Sequence, residues 1–333
     1  MIPFARCVLL PLSALIAPGV HMDRTVLVMG TELRMEVVAP SRSSALQATE
    51  TIYQAAIAMD GLLSTWRPSA LDSLNHAAVG QRVTLPPRLD ALMNEVLAWR
   101  DSTAGAFEPV SGALVDAWDL RGAGRIPSDA ELQLALRATG PAAMDVVDGN
   151  AARRRPAAWL DSGGFGKGAA LRAAKRALRS DSIPAALLDF GGQVLAIGAP
   201  RNAPAWTIAI ADPRRRQQPV LELRLRDVSA ATSAQSERFV TVDGTRYGHI
   251  LDPHTGRPVP AWGSVTVIAA DPLVADILST ALFVMGPVQG LAWADRHPDI
   301  GAVFVVSDQP TPRILASTGA QRFVPAPPVP FNP

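Results

Sequence analysis

Over residues 25–38 apolar and polar positions alternate, with Val, Leu and Met on one set, and Gly30 interrupts the run. A period of two marks a half-buried strand, and a glycine inside it supplies a hairpin turn or bulge, so a strand pair is predicted to open the fold. The period then lengthens. Across residues 44–63, Leu46, Ile52, Ala56, Met59 and Leu63 recur at helical spacing behind a Ser-rich start, which predicts an amphipathic helix. A second helix is predicted over 87–99, with Pro87 in its first turn. The stretch 105–109 breaks the pattern, and a third helix follows over 128–138, where Ser128 and Glu131 have capping-box spacing.

Short apolar or alternating segments at 143–147, 159–161, 185–190 and 194–198 read as strands, with a helix over 167–180 between the second and third. Four more strands are predicted at 206–211, 220–225, 238–242 and 263–270. Turn pairs such as Asp212-Pro213 and Asp243-Gly244 separate them, which favours antiparallel pairing. Helices over 271–285 and 288–296, a strand over 302–306 and a Pro-rich tail complete the chain. No repeat is visible, and this order of elements indicates an α+β fold rather than a regular βαβ wind.

Composition changes this picture little. With 333 residues, 48% hydrophobic and 18% charged, the chain can bury one large core or two modest ones. A net charge of +1 gives no field for capturing nucleic acid, and the runs Arg153-Arg154-Arg155 and Arg214-Arg215-Arg216 read as solvated loop charges. Lysine occurs only at Lys167 and Lys175, and cysteine only at Cys7, so no disulfide framework or Cys-based zinc site can form within the chain. Arg6 followed by the apolar run 7–17 has the charge order and length of a signal-peptide core, without the residues ahead of Cys7 that a lipoprotein acceptor needs. Three parts are therefore expected: a leader over 1–22 with export to the periplasm or envelope, one domain over 23–320, and a tail over 321–333.

Three clusters could carry chemistry. Leu160-Asp161-Ser162-Gly163-Gly164-Phe165-Gly166-Lys167-Gly168 joins a predicted strand to a helix. It suits either a phosphate or nucleotide contact at the helix N-terminus or a tight turn, but lacks Walker and dinucleotide spacing. Asp276 and Thr280 stand four apart on an otherwise apolar helix. They either offer two hard oxygen ligands to Mg²⁺, or Thr280 bonds back to its helix while Asp276 faces water. In the run from Tyr247 to Pro258, His249 is a proton shuttle, a hydrogen-bond donor to phosphate or a structural histidine, with Asp252 beside it at a turn.

Taken in order, these clusters resemble the ApbE family of FAD:protein FMN transferases. The glycine cluster is similar to its D-L-G-G-I-A-K-G segment, residues 186–198 to A-L-V-N-L-G-G-D-I-x-A-x-G, and residues 231–238 to A-T-S-G-D-Y-E-R. Residues 247–259 are similar to Y-S-H-I-I-D-P-R-T-G-R-P-V, and 264–286 to the family's S-V-T-V-I-A-P-D segment and the helix after it. Met29-Gly30-Thr31, residues 63–68 and Gly105-Ala106-Phe107-Glu108-Pro109 fall where the family has M-G-T, L-S-x-Y/W and F-D-P.

The resemblance implies a flavin cleft between two lobes of mainly antiparallel sheet and helices, with FAD as substrate and Mg²⁺ as cofactor. It implies transfer of FMN to a Ser or Thr hydroxyl of an acceptor protein carrying a flavinylation-type motif, such as an exported, membrane-associated electron-transfer subunit, with release of AMP. By the same resemblance, Asp276, Thr280 and the carbonyl of Gly164 hold the metal, and Met29, Trp66, Ala106, Phe107, Glu108, Asp161, Lys167 and Leu251 line the FAD site. His249, then Asp252, are the candidate bases. The chain departs from the pattern at Ser162, Phe165-Gly166, Glu108, Gly248 and Ala234-Gln235-Ser236. A pyrophosphatase cleaving FAD to FMN and AMP, and a non-catalytic FAD-binding protein, stay open as alternatives.

Overall fold

The computed structural model describes residues 19–178, 183–236 and 238–325. Residues 1–18 of the leader expected over 1–22, the end of the tail from 326, and Arg179 and Ser180 of the helix expected over 167–180 lie outside the described residues. In chain order the first elements are β1 (Val20–Val28), β2 (Thr31–Ala39), α1 (Arg42–Leu63), α2 (Ala70–His76), β3 (Val83–Thr84), α3 (Pro87–Ser102), α4 (Gly112–Ala117), α5 (Asp129–Arg137), β4 (Met144–Val147) and β5 (Asn150–Arg153). Next come α6 (Gly166–Leu178), β6 (Ala185–Phe190), β7 (Gln193–Gly198), β8 (Trp206–Asp212), β9 (Arg215–Leu225), β10 (Ser229–Ala234), β11 (Phe239–Val242) and β12 (Thr245–Gly248). The chain closes with β13 (Gly263–Ala269), α7 (Pro272–Asp295), β14 (Gly301–Val306) and β15 (Arg313–Ala316).

Eight strands form one sheet in the order β1-β2-β6-β7-β10-β13-β14-β15, and its pairings are antiparallel. Helices cover one face. Ala186, Leu188 and Phe190 of β6 pack in the core shared with α1 and α6, whereas Ala302, Phe304 and Val306 of β14 lie with Leu278, Leu282 and Phe283 of α7. The β8–β9 ribbon covers the other face, where Trp206, Ile210, Leu223 and Leu225 meet Ala185, Val303 and Val305. Burial on both faces explains why β14 is apolar throughout instead of alternating.

A second lobe is built from α2 to α5 and the small β3-β5-β4 sheet. Its core includes Leu273, Ile277 and Ala281 of α7. This helix therefore has the sheet on one side and the second lobe on another, which accounts for its near-continuous apolar sequence. The helices expected over 271–285 and 288–296 are the two halves of α7, broken at Gly286, where φ is 75° and ψ 173°, just ahead of Pro287. The capping box at Ser128 and Glu131 is present.

The strand expected over 159–161 is not formed. Leu160 instead pairs with a side chain: Asn75 Nδ2 donates to the Leu160 carbonyl at 2.9 Å, and Leu160 N–H donates to Asn75 Oδ1 at 2.8 Å. One amide thus serves Leu160, while the Trp159 carbonyl accepts from Gly112 N–H at 3.2 Å and Asp161 N–H donates to the Pro109 carbonyl at 2.9 Å. At one edge of the main sheet, β1 is longer than the alternation suggested and starts at Val20, paired with Ala39.

Candidate functional site

The glycine cluster turns the chain into α6. Phe165 N–H and Gly166 N–H both donate to the Ser162 carbonyl, at 3.2 and 2.8 Å, and Ser162 Oγ donates to the Leu63 carbonyl at the end of α1. At Gly168 the helices α6 and α7 come into direct contact, since a Cβ there would stand 2.6 Å from the Pro272 carbonyl oxygen and 2.7 Å from Asp276 Cβ. That closeness lets Gly168 N–H donate to Asp276 Oδ2 at 2.8 Å. Only glycine fits here.

Asp276 is 4% exposed, so it does not face water. Its second oxygen, Oδ1, has Lys167 Nζ 3.7 Å away, an ion pair too long for a hydrogen bond. Thr280 stands one turn along, and its Oγ1 would be 3.5 Å from a Cβ on Gly164. The bond back to the Asp276 carbonyl is made by Ser279 Oγ at 2.8 Å, whereas the Thr280 hydroxyl has no hydrogen-bond partner among the described residues. A buried carboxylate with one oxygen uncommitted, a free hydroxyl and a glycine turn thus converge. Hard oxygen donors of this kind fit Mg²⁺.

Of the positions matched to the FAD site, Met29, Phe107 and Asp161 lie against the glycine turn, and the others differ in their surroundings. Met29 is at the β1–β2 hairpin with φ 50°, and its Cε would be 3.1 Å from a Cβ on Gly166. Phe107 is buried and meets Phe165 edge to face at 6.5 Å, so it supports the glycine turn from within the second lobe. Ala106 is buried beside it. Glu108 is buried too and accepts from Val110 N–H at 2.8 Å; burial raises its carboxyl pKa in spite of that bond. Trp66, by contrast, is 74% exposed. Asp161 accepts from Arg121 at 3.0 Å and from Gly163 N–H at 3.3 Å. Leu251 is half-buried and bridges to Pro258.

His249 is half-buried at the end of the β11–β12 hairpin, with Nδ1 3.0 Å from the Arg238 carbonyl oxygen. A carbonyl only accepts, so Nδ1 carries the proton and Nε2 of the neutral ring is an acceptor. Burial pushes the imidazole pKa down to about 4, opposed by this hydrogen bond and assisted by the charges of Arg238 and Lys167. Asp252 has a different position. Its Oδ1 accepts from His254 N–H at 2.9 Å and its Oδ2 from Thr255 Oγ1 at 3.1 Å, so both oxygens serve the turn that returns the chain to Pro258.

Two departures from the family pattern meet in space. The buried Gln235 side chain donates to the carbonyls of Ile250 and Val259 and accepts from Ile250 N–H, clamping the segment that follows His249. A Cβ on residue 248 would lie 2.0 Å from Gln235 Oε1. Gly248 therefore makes room for Gln235. Arg121, which contacts Trp66, Trp159 and Asp161, carried no signal in the sequence because it lies in an unremarkable turn after α4.

The sequence profile of the ApbE family matches residues 29–304. The FAD:protein FMN transferase of Treponema pallidum is 32% identical over 319 residues, spanning 89% of this chain and 87% of the relative. That of Klebsiella pneumoniae (strain 342) is 32% identical over 262 residues, spanning 77% and 80%. Among solved structures, the ApbE protein of Thermotoga maritima superimposes with a TM-score of 0.82 at 28% identity, over 92% of this chain and 100% of that one. The flavin transferase ApbE from Vibrio cholerae gives 0.81 at 25% identity, over 92% and 100%. With the motifs in unbroken order, the shared fold and a profile match over most of its length, this chain belongs to the ApbE family.

Proposed function

We propose that this chain is an FAD:protein FMN transferase that moves FMN from FAD to a Ser or Thr hydroxyl of an acceptor protein and releases AMP. The observation that carries the reading is the buried Asp276 beside the uncommitted Thr280 hydroxyl, both held against the glycine turn where two lobes meet. Asp276, Thr280 and the Gly164 carbonyl would hold Mg²⁺, which supplies charge neutralisation for pyrophosphate oxygens. Lys167 adds positive charge beside Asp276. The acceptor oxygen forms a bond to the FMN phosphorus as the bond from that phosphorus to the bridging oxygen breaks, and AMP leaves with that oxygen.

His249 is the base. Its Nε2 is unprotonated at neutral pH and takes the hydroxyl proton as the new bond forms, while the Nδ1 bond to Arg238 fixes the ring. Asp252, with both oxygens committed to its turn, holds the segment in shape instead. The leader and the family's chemistry support an exported acceptor, an electron-transfer subunit anchored at the membrane. The test is to incubate purified protein with FAD, Mg²⁺ and such an acceptor, and to measure AMP and covalent flavin. Acceptor-dependent AMP with a flavin-fluorescent acceptor band is expected. AMP without acceptor would make the chain a pyrophosphatase, and retained FAD without AMP a binding protein.

A further inference from the structure

Arg121 belongs to none of the motifs above, yet its guanidinium joins two of them. The guanidinium carbon lies 4.5 Å from the ring centroid of Trp66 and 4.4 Å from that of Trp159. Nη2 donates to Thr65 Oγ1 at 2.9 Å and to Asp161 Oδ1 at 3.0 Å, and Nη1 donates to the Thr65 carbonyl at 3.3 Å. Its partners thus fall in two segments: residues 65–66, just after α1, and residues 159–161, leading into the glycine turn. Trp159 is itself fixed, since its Nε1 donates to Asp116 Oδ2 at 2.7 Å.

Trp66 remains 74% exposed with Arg121 against it, so most of the indole is open to a ligand. An indole so exposed would sample several rotamers if nothing held it, and binding a flat ring would then cost the entropy of ordering it. A planar guanidinium held by three hydrogen bonds removes that freedom in advance. The same guanidinium fixes Asp161, whose Oδ1 also accepts from Gly163 N–H at 3.3 Å. One side chain therefore sets the position of a ring platform relative to the glycine turn.

We propose that Arg121 is a positioning residue for FAD, preorganising Trp66 as a stacking surface in register with Asp161 and the glycine turn. This rests on the reading of FAD as the substrate. The experiment compares wild type, Arg121→Ala, Arg121→Lys, Trp66→Ala and the Arg121→Ala/Trp66→Ala pair. It measures FAD dissociation constants by flavin fluorescence, KM and kcat for AMP release, and melting temperature. Arg121→Ala should weaken FAD binding roughly ten-fold, with the loss in KM for FAD. Arg121→Lys should recover only part of it, because an ammonium keeps the ion pair to Asp161 and loses the planar stack. The double variant should lose less than the sum of the single losses, since Arg121 acts largely through Trp66. Wild-type FAD affinity in Arg121→Ala, a lowered melting temperature with unchanged affinity, or fully additive losses would each overturn the proposal and leave the transferase reading standing. Failure of the wild-type protein to bind FAD would remove both.

Discussion

Asp276 shows how burial decides between two readings that spacing leaves open. The pair Asp276 and Thr280 is equally compatible with a solvated helix face, and only the packing of α6 and α7 removes that alternative. Replacing Asp276 with Ala should abolish AMP release from FAD, because it deletes the only charged ligand of the proposed metal site. It also leaves Gly168 N–H without its acceptor, at about 1–3 kcal/mol, so thermal melts must accompany the assay. Thr280→Ala should be milder and partly rescued by more Mg²⁺, since water can replace a neutral ligand. AMP formation measured against Mg²⁺ concentration decides: equal activity in wild type and both variants would remove the metal site.

His249 gives a second outcome at this scale. Its folded-state pKa of about 4 lies below the ordinary value of 6.5. The sign follows: the neutral ring contributes stability above about 6.5, and that contribution is lost as pH falls from there towards 4. If this ring is the base, kcat/KM should stay level from pH 8 to about 5.5 and fall only as the pH approaches that lowered pKa. A decline centred near the ordinary histidine value would place the base elsewhere. His249→Gln should lower turnover by roughly 100-fold.

Among the elements, those with a clear alternation, a helical period or a long apolar run were legible, and those built from small or mixed residues were not. The helices α1, α3 and α5 follow their periodicity and caps, and the β1–β2 hairpin follows its alternation around Gly30. Ser229-Ala230-Ala231-Thr232-Ser233-Ala234, which forms the central strand β10, has no alternation because small residues are buried on both faces. The segment 159–161 misleads in the opposite sense, as Asn75 pairs with Leu160 while Trp159 and Asp161 bond to the backbone of Gly112 and Pro109, without a strand being formed. The Gly248 and Gln235 departures read as two separate changes in sequence and prove to be one arrangement in space. Gly248→Ser alone should therefore cost about 1–3 kcal/mol through overpacking against Gln235. Adding Gln235→Asp should make the double variant less destabilised than the two single losses summed, as measured by chemical denaturation; simple additivity would show the positions to be independent.

At the scale of the whole molecule, the α+β class was legible from the order of elements. The strand order was not, because β2 pairs with β6 and β7 with β10 across long stretches of chain that local patterns cannot register. For the same reason the second lobe's small sheet and the double coverage of α7 emerge only in three dimensions. The fold also sharpens the expectation about the leader. Apolar pattern alone places the mature start between residues 17 and 23, yet Val20 is paired with Ala39 and His21 with Val38 at the edge of the main sheet. Cleavage beyond Val20 would remove ladder pairs from β1, so the mature chain should begin at residues 18–20, after the apolar run and before the first pair. N-terminal sequencing of protein recovered from the native envelope tests this. A start at residue 22 or 23 would mean that β1 tolerates a shortened edge, and a chain retaining Met1 in the cytoplasm would refute export. If export holds, the proposed transferase would meet only acceptors displayed outside the cytoplasm.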